Sequence, residues 1–316
     1  MTTPIPITVC EGDGVGPEIA DAVLRILEEA GAPLAVEFAP ASRAAAIARN
    51  SGALLCGPLK AETVRDLHAE AAVVAEVRRA RAPAPFVRAA TPGLDLTVVR
   101  ALDDRPGAVA RVAVEAARAH GRRRLTVLTG GSRADDTLVD AVMAHAPADR
   151  LQVERRPVDA ATAQLVTEPG SLEAVVVPAV HGAVVAGVAT RLAGGTTLTS
   201  LTISGRGGDA FACAHGPAFS RAGQDEANPS GLLLAAVDLL MHLGLEDDAT
   251  RIHNAWARTI EDGIHTPDLH HQSTSWRKVG TGGFAKAVIT RLGLRPVHLP
   301  AAPHGTGKDG HILAAE

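Results

Sequence analysis

The feature that most constrains the fold is the alternation of short apolar runs with amphipathic helical patterns. Strand-like runs are Ile5–Val9, Leu34–Phe38, Ala71–Ala75, Leu94–Val99, Arg124–Leu128, Leu151–Arg155 and Ala174–Val177. Helical spacing is found in Ile19–Leu27, Val109–Ala119, Asp136–His145, Asp159–Val166, Val184–Leu192, Gly231–Leu243, Ala249–Glu261 and Phe284–Leu292. Strands that are apolar almost throughout are typical of parallel sheets buried on both faces. The sequence therefore predicts an α/β fold, with a largely parallel central sheet flanked by helices.

Length, charge and apolar content exclude several functional classes. The 316 residues are enough for a large core, in one large domain or two smaller ones. The net charge of −4, without a basic stripe or an aromatic platform, argues against nucleic acid binding. The sequence also shows neither a membrane-spanning run nor a signal peptide, so we expect no membrane partner and a cytoplasmic location. The three cysteines are widely spaced, as expected of small core residues in a reducing compartment.

A glycine-rich turn follows the first strand. It reads Gly-Asp-Gly-Val-Gly-Pro-Glu from Gly12 to Glu18. A lone Gly-x-Gly-x-Gly pattern is often only a tight turn. The strand before it and the Pro-Glu helix start after it favour a turn that faces a ligand.

A second irregular loop runs from His215 to Pro229, directly before the helical run Gly231–Leu243. Its two glycines and two prolines make it too irregular for a strand. Asn228 and Pro229 are suited to be the N-cap and the first position of the helix. Such a loop can cradle an anion or a nucleotide at the helix N-terminus, or it can be purely structural.

In this order, the two motifs resemble those of the isocitrate and isopropylmalate dehydrogenases. That family opens with G-D-G-I-G-P-E and carries H-G-S-A-P-D-I-A-G-K-x-x-A-N-P, a loop that holds the adenosine half of NAD. The resemblance implies cofactor contacts at His215, Gly216, Ala218, Ser220 and Asn228. Ser220 stands where the family has its ribose-binding aspartate, so NAD, if it binds, is expected to bind weakly.

The resemblance also implies an architecture. It predicts an isopropylmalate dehydrogenase-like two-domain fold, with the active cleft between the domains. Residues 1–83 and 194–316 would form the large, nucleotide-binding-like domain, and residues 84–193 a small domain with a homodimer interface. The His-rich segment 265–271 and the tail 300–316 receive no assigned role.

Three arginines resemble those with which the family holds the carboxylates of its substrate. They are Arg78, Arg88 and Arg100, and the arginine fork suits a carboxylate because it forms two parallel bonds. The alternative is that they are ordinary surface arginines. Asp159 matches an aspartate that in the family helps to bind a divalent metal across the dimer interface. Its alternative role is that of a helix N-cap.

Several groups of the family's chemistry are missing from this sequence. Ala183 and Gly187 replace two metal-binding aspartates, and Gly130 replaces the lysine that assists proton removal. The chain contains no tyrosine to return a proton to the enol. The nicotinamide loop and the two-stranded dimer arm also have no counterpart. The sequence therefore predicts that the Mg²⁺ or Mn²⁺ site and standard redox catalysis have been lost.

These observations favour a redox-disabled relative that binds a small carboxylate or other anion. It would be a non-redox enzyme of specialised metabolism, such as a lyase, an isomerase or a decarboxylase. Histidines such as His181 could supply acid–base chemistry or a transition-metal site, or they could be ordinary surface residues. One alternative function is an NAD(P)-dependent β-hydroxyacid dehydrogenase with rearranged groups. Another is a non-catalytic partner of an active paralogue.

Overall fold

A computed structural model describes residues 3–43, 46–47, 53–146, 150–206 and 208–301. The strands of the main sheet are β1 (Ile5–Cys10), β2 (Leu34–Phe38), β3 (Leu54–Cys56), β4 (Val73–Arg81), β5 (Asp95–Ala101), β6 (Arg124–Thr129), β7 (Gln152–Pro157), β8 (Ala174–Val177), β9 (Ser200–Gly205) and β10 (Asp209–Cys213). A separate pair is formed by β11 (Ile264–His265) and β12 (Arg277–Lys278). The order in the main sheet is β2-β1-β3-β10-β9-β4-β5-β8-β6-β7.

Helices connect most of these strands. They are α1 (Gly16–Glu29), α2 (Ala61–Glu70), α3 (Pro106–Ala119), α4 (Arg133–His145), α5 (Val158–Thr167), α6 (Ala179–Leu192), α7 (Ser230–His242), α8 (Glu246–Glu261) and α9 (Thr281–Ile289). Within the described ranges, no helix is long and apolar enough to cross a bilayer.

The sheet consists of two parallel blocks that run in opposite directions. In the first block, β2, β1, β3 and β10 are parallel, and in the second β5, β8, β6 and β7 are parallel. Strands β9 and β4 join the blocks through three antiparallel pairings. The prediction of a largely parallel α/β sheet is confirmed, and the antiparallel centre brings side chains of β4 and β5 next to each other.

Helices cover both faces of the sheet. On one face, α1, α7, α8 and α9 pack on the first block while α3 and α4 pack on the second. On the other face, α2 packs near the first block while α5 and α6 pack on the second. Because both faces are covered, strands such as β8 are apolar and fully buried, as their sequence predicts. Cys10, Cys56 and Cys213 are buried with free thiols.

The structure differs from the sequence prediction mainly in the extent of the elements. Strand β4 was expected to end at Ala75 but continues to Arg81, so that Arg78 lies within the sheet. Strands β3, β9 and β10 were not predicted, because β3 has only three residues and β9 mixes serine and threonine with its apolar residues. Helix α6 begins at Ala179 rather than Val184, directly after Pro178.

Two short connections agree with the predicted deletions. Helix α3 starts at Pro106, soon after β5 ends at Ala101, which leaves no room there for a two-stranded arm. Strand β4 passes through Val77 and Arg78 without a loop. The domain boundaries at residues 84 and 193 stay a prediction, because the sheet itself is continuous from β4 to β5. Most of the tail 300–316 lies outside the described residues.

Candidate functional site

The ends of β1, β3 and β10 bring three loops together. The backbone N–H of Asp13 donates to the carbonyl of Pro58 at 2.7 Å, and the N–H of Val15 donates to the carbonyl of Pro217 at 2.8 Å. The Asp13 carboxylate accepts from the Lys60 backbone at 3.1 Å and lies 3.6 Å from the Lys60 ammonium. The glycine-rich turn, the segment after β3 and the start of the His215 loop thus form one structure, which we call the cradle.

The glycines of the first motif have a structural explanation. Gly12 and Gly14 adopt left-handed φ values of 83° and 59°, which glycine tolerates best. A side chain at Gly14 would overlap the carbonyl oxygen of Pro217. The turn is therefore needed for the close approach of the loops, whether or not a ligand binds there.

The second half of the His215 loop is fixed by polar contacts. The Gly223 N–H donates to Glu18 Oε2 at 3.1 Å. Asn228 is buried, and its Oδ1 accepts from the Ser230 N–H at 2.9 Å while its Nδ2 donates to Asp268 at 3.1 Å. The predicted N-cap is wrong by one residue: α7 begins at Ser230 and its N-cap is Pro229, while Asn228 lies one position before the cap and still accepts from the Ser230 N–H.

The first half of the loop is more open. Gly216, Ala218 and Ser220 are exposed. His215 Nδ1 lies 3.0 Å from the Gly216 carbonyl, which fixes its proton there, while Nε2 is buried without a hydrogen-bond partner in the described part of the chain. Burial lowers the pKa of His215, so the ring is neutral and Nε2 is a free acceptor. Gly216, Ala218 and Ser220 are thus accessible to a ligand, whereas Nε2 of His215 is not.

Two of the three predicted arginines lie together. Arg78 on β4 and Arg100 on β5 flank Glu76, a buried carboxylate on β4. The Glu76 Oε2 atom is 3.8 Å from Arg78 Nη2 and 3.4 Å from Arg100 Nη1. His68 of α2 approaches the other carboxylate oxygen, with 3.3 Å between its Nε2 and Oε1. We call these four residues the Glu76 cluster.

The Glu76 cluster is charged and incompletely bonded. Burial opposes ionisation of Glu76, but His68, Arg78 and Arg100 outweigh it and lower the pKa of the carboxyl. The ion-pair distances exceed the ~2.7–2.9 Å of a strong charge-assisted hydrogen bond. The Nε atoms of Arg78 and Arg100 are buried and have no hydrogen-bond partner among the described residues. The part of each arginine within reach of a ligand is instead its exposed fraction, 23% of the Arg78 side chain and 28% of the Arg100 side chain.

Helix α6 packs directly over Arg100. A side chain at Gly182 would overlap the Arg100 side chain, with Arg100 Cδ only 2.8 Å from the position of a Cβ atom. Gly187, in the same helix, has no atom within 4 Å of that position. The absence of a side chain at residue 182 therefore permits the observed position of Arg100.

Arg88 contacts a residue outside the Glu76 cluster. Its side chain is exposed, and its guanidinium contacts the ring of His271. His271 belongs to the His-rich segment, which begins in β11 and continues into the turn before β12. His265, in the same segment, is fully buried and contacts Ser275 Oγ at 2.7 Å and the Ile260 carbonyl at 3.2 Å. The structure thus brings together Arg78 and Arg100, while Arg88 contacts the His-rich segment instead.

A groove of about 410 Å³ between α5 and α6 contains Asp159 and His181. Asp159 is exposed in the first turn of α5, where it accepts from the Ala160 N–H at 2.8 Å. It is not the N-cap, a position taken by Pro157. His181 lies over Gly130, so that a Cβ atom at residue 130 would be 2.6 Å from His181 Nε2. An imidazole thus fills the space into which a side chain at residue 130 would extend.

Comparison with known proteins identifies the family. The sequence model described as isocitrate/isopropylmalate dehydrogenase matches residues 88–288. This chain belongs to the isocitrate/isopropylmalate dehydrogenase family. It is similar to an NADP isocitrate dehydrogenase of Rickettsia bellii, with 31% identity over 95% of this chain and 72% of that protein. A 3-isopropylmalate dehydrogenase of Archaeoglobus fulgidus is 28% identical over 83% of this chain and 94% of that protein.

Solved structures agree with the assignment of the fold. A protein of Thermus thermophilus superposes with a TM-score of 0.80 at 28% identity, covering 98% of this chain and 73% of that chain. An isocitrate dehydrogenase from Methylococcus capsulatus has a TM-score of 0.77 at 24% identity, over 91% of this chain and 99% of that chain. The latter likeness concerns the fold alone.

Family membership raises the question of a divalent metal. Among the residues that the structure describes, no group of three or more His, Cys, Asp or Glu side chains could hold a metal ion. Asp159 has Ala183 and Gly187 on the neighbouring helix, where the family's metal-binding aspartates would be expected. The described residues therefore do not fit a Mg²⁺ or Mn²⁺ site.

Sequence reasoning missed Glu76, the residue at the centre of the cluster. A signal was present, since Glu76 is a charged residue inside the apolar run Val73–Val77. A buried carboxylate needs hydrogen-bonding or charged partners. In the structure these partners include Arg78 and Arg100, two of the three predicted arginines. Asp238, within the apolar run of α7, is a second such case and accepts from Ser200 Oγ at 2.6 Å on the opposite face of the sheet.

Proposed function

We propose that this family member binds a small carboxylate at Arg78 and Arg100 and uses it in a non-redox reaction. The observation that carries the proposal is the convergence of two partly exposed arginines on the buried carboxylate of Glu76. Like charges repel when they are brought together, so a convergent pair favours an anionic partner. Glu76 balances only one of the two positive charges.

The surroundings support the binding of an anion. Helix α6 begins at Ala179, and its first turns lie against Arg100 through Gly182. The N-terminal end of a helix carries a partial positive charge that favours anions nearby. The arginines supply directional donors, and the helix end adds to the positive potential.

The non-redox part of the proposal depends on what this chain offers for proton transfer. With Gly130, Ala183 and Gly187 at the positions of the family's lysine and aspartates, hydride transfer followed by enolate stabilisation has little support. His181 lies beside Gly130 and shares a groove with Asp159. We propose His181 as the proton-transfer group of a lyase, isomerase or decarboxylase reaction.

The binding proposal is tested by titrating small mono-, di- and tricarboxylates into the protein and its Arg100 variants by calorimetry. Arg100→Ala is expected to weaken binding by about 2–5 kcal/mol, the range for truncating one partner of a buried charge pair. Arg100→Lys should recover little, since an ammonium cannot make the two-point contact. If the Arg100→Ala protein bound every carboxylate as tightly as the wild type, the proposal would be abandoned.

The alternative is an NAD(P)-dependent β-hydroxyacid dehydrogenase with rearranged groups. The intact cradle favours it, because the contacts that unite Asp13, Pro58 and Pro217 are all present. A bound NAD would accept a hydride, and His215, Gly216, Ala218 and Ser220 would hold its adenosine half. Chelator-insensitive NADH production from malate, isocitrate or isopropylmalate by purified protein would favour this alternative.

We expect weak NAD binding that a single substitution can improve. Ser220 is exposed and neutral, so it cannot make a charge-assisted bond to a ribose hydroxyl, a bond of about 1.5–3 kcal/mol. Ser220→Asp should therefore tighten NAD binding roughly tenfold or more, and Ser220→Asn should serve as the uncharged control. Equal affinities of the two variants, measured by fluorescence titration, would show that residue 220 does not contact the ribose.

A third candidate is a non-catalytic partner of an active paralogue. One relative is named as a regulatory subunit of the mitochondrial NAD isocitrate dehydrogenase of Dictyostelium discoideum, at 29% identity over 87% of this chain and 88% of that protein. This candidate would gain support if the protein bound neither NAD nor any carboxylate. It would then be sought as a component of a mixed assembly.

We further propose that α5 and α6 form a homodimer interface. Val166, Val180 and Val184 of these helices are 55%, 79% and 65% exposed. Adjacent exposed apolar side chains mark an association surface. Val184→Lys should convert a dimer to a monomer in light scattering, while Phe38→Lys, at an exposed apolar residue of β2, should not. A dimer that survives Val184→Lys would place the interface elsewhere.

A further inference from the structure

We infer that Glu76 restricts the arginine pair to monocarboxylates and makes it disfavour di- and tricarboxylates. This inference rests on the proposed carboxylate site and specifies its substrate class. It depends on the charge of the Glu76 cluster and on the burial of the carboxylate.

The charges of the cluster leave room for one negative charge. Arg78 and Arg100 contribute two positive charges, and Glu76, whose ionised form they stabilise, contributes one negative charge. His68 adds a charge only when it is protonated. With His68 neutral, the cluster carries one net positive charge, which a single carboxylate neutralises.

The burial of Glu76 strengthens the effect of its charge on a bound ligand. Glu76 is 4% exposed, so water does little to screen its charge from a ligand bound beside it. The side chains of Arg78 and Arg100 are 23% and 28% exposed, which leaves them within reach of a ligand. A second carboxylate on the ligand would meet the Glu76 carboxylate, which among the described residues pairs with no other Lys or Arg that could offset the repulsion. The third predicted arginine does not offset it, because Arg88 contacts His271 instead.

Weak pairing within the cluster lets a ligand enter without removing Glu76. The distances from Glu76 to its three partners are 3.3 to 3.8 Å, and the Nε atoms of both arginines have no bond to it. A monocarboxylate can therefore accept from the exposed part of the two arginine side chains while Glu76 keeps its own contacts. Glu76 then acts as a specificity-determining residue that stays charged in the complex.

The test compares lactate and malate, which differ by one carboxylate group and share the α-hydroxy acid. Each is titrated by NMR into the wild type, Glu76→Gln and Glu62→Gln at pH 8, where imidazoles are generally neutral. Glutamine keeps the shape of residue 76 and removes its charge. Glu62→Gln removes the same charge from an exposed position in the first turn of α2 and serves as the control.

In the wild type we expect lactate to bind at least as tightly as malate. In Glu76→Gln the ratio of malate affinity to lactate affinity should rise at least tenfold, while in Glu62→Gln it should stay within twofold. An unchanged ratio in a Glu76→Gln protein that still binds carboxylates would overturn this inference and leave the proposed site intact. If neither acid bound to any of the three proteins, even at millimolar concentration, the proposed site itself would fail.

Discussion

Replacing Gly14 by alanine is expected to destabilise the protein by about 2–5 kcal/mol. Two effects add. A left-handed φ, 59° at this residue, is unfavourable by about 1–2 kcal/mol once a Cβ atom is present. The new Cβ atom would also overlap the Pro217 carbonyl, and forced overpacking costs about 1–3 kcal/mol. Because the obstacle is backbone, rotation of a side chain cannot relieve it.

Gly31→Ala is the matched control for this prediction. Gly31 has a similar φ of 70°, but no atom lies within 4 Å of a Cβ at that position. Its replacement by alanine should lower the free energy of unfolding only by the cost of the left-handed φ, about 1–2 kcal/mol. The free energies of unfolding of the two variants, measured by urea denaturation, should therefore differ clearly. Equal losses would mean that the contact between the glycine-rich turn and the His215 loop contributes little.

Replacing Glu76 by alanine is expected to destabilise the empty protein by about 3 kcal/mol. The change leaves Arg78 and Arg100 close together with no carboxylate between them. Removing one partner of a buried ion pair costs about 3–5 kcal/mol, and the partial exposure of both arginines favours the lower end. The deletion of an exposed carboxylate by Glu62→Ala should change the unfolding free energy far less.

The stability difference between the wild type and Glu76→Ala should depend on pH, with a sign that follows from the pKa of Glu76. The pKa of Glu76 is lower in the folded protein than in the unfolded chain. Its contribution is therefore fully present above the unfolded pKa of glutamate and is lost as the pH falls through the folded pKa. The stability difference between the wild type and Glu76→Ala should narrow in acid. A difference that stays constant from neutral to acidic pH would argue against a charged Glu76.

The fold could be predicted because its main signals are local. Apolar strands such as Ala174–Val177 and the patterns of α7 and α8 follow from side-chain spacing alone. Strand β9 could not be found in this way, because its serine and threonine residues pair with β4 and β10 in the centre of the sheet. Which strands are neighbours depends on contacts between distant parts of the chain.

The candidate site was predictable only in part, for the same reason. Family resemblance pointed to Arg78 and Arg100, and the structure places both on neighbouring strands. The resemblance gave no indication that Glu76 lies between these two arginines, nor that Arg88 contacts His271. The role of Gly182 in making room for Arg100 also depends on the packing of α6 on β5, which the sequence does not encode locally.

The most direct test of the carboxylate site compares Gly182→Ala with Gly187→Ala. Both changes add one methyl group to α6 and should favour the helix by up to about 1 kcal/mol. At residue 182 the methyl group would displace Arg100, whereas at residue 187 it meets open space. In a calorimetric titration with a small carboxylate, Gly187→Ala should bind like the wild type and Gly182→Ala at least tenfold more weakly. Equal binding by the two variants would contradict a ligand site built on Arg100.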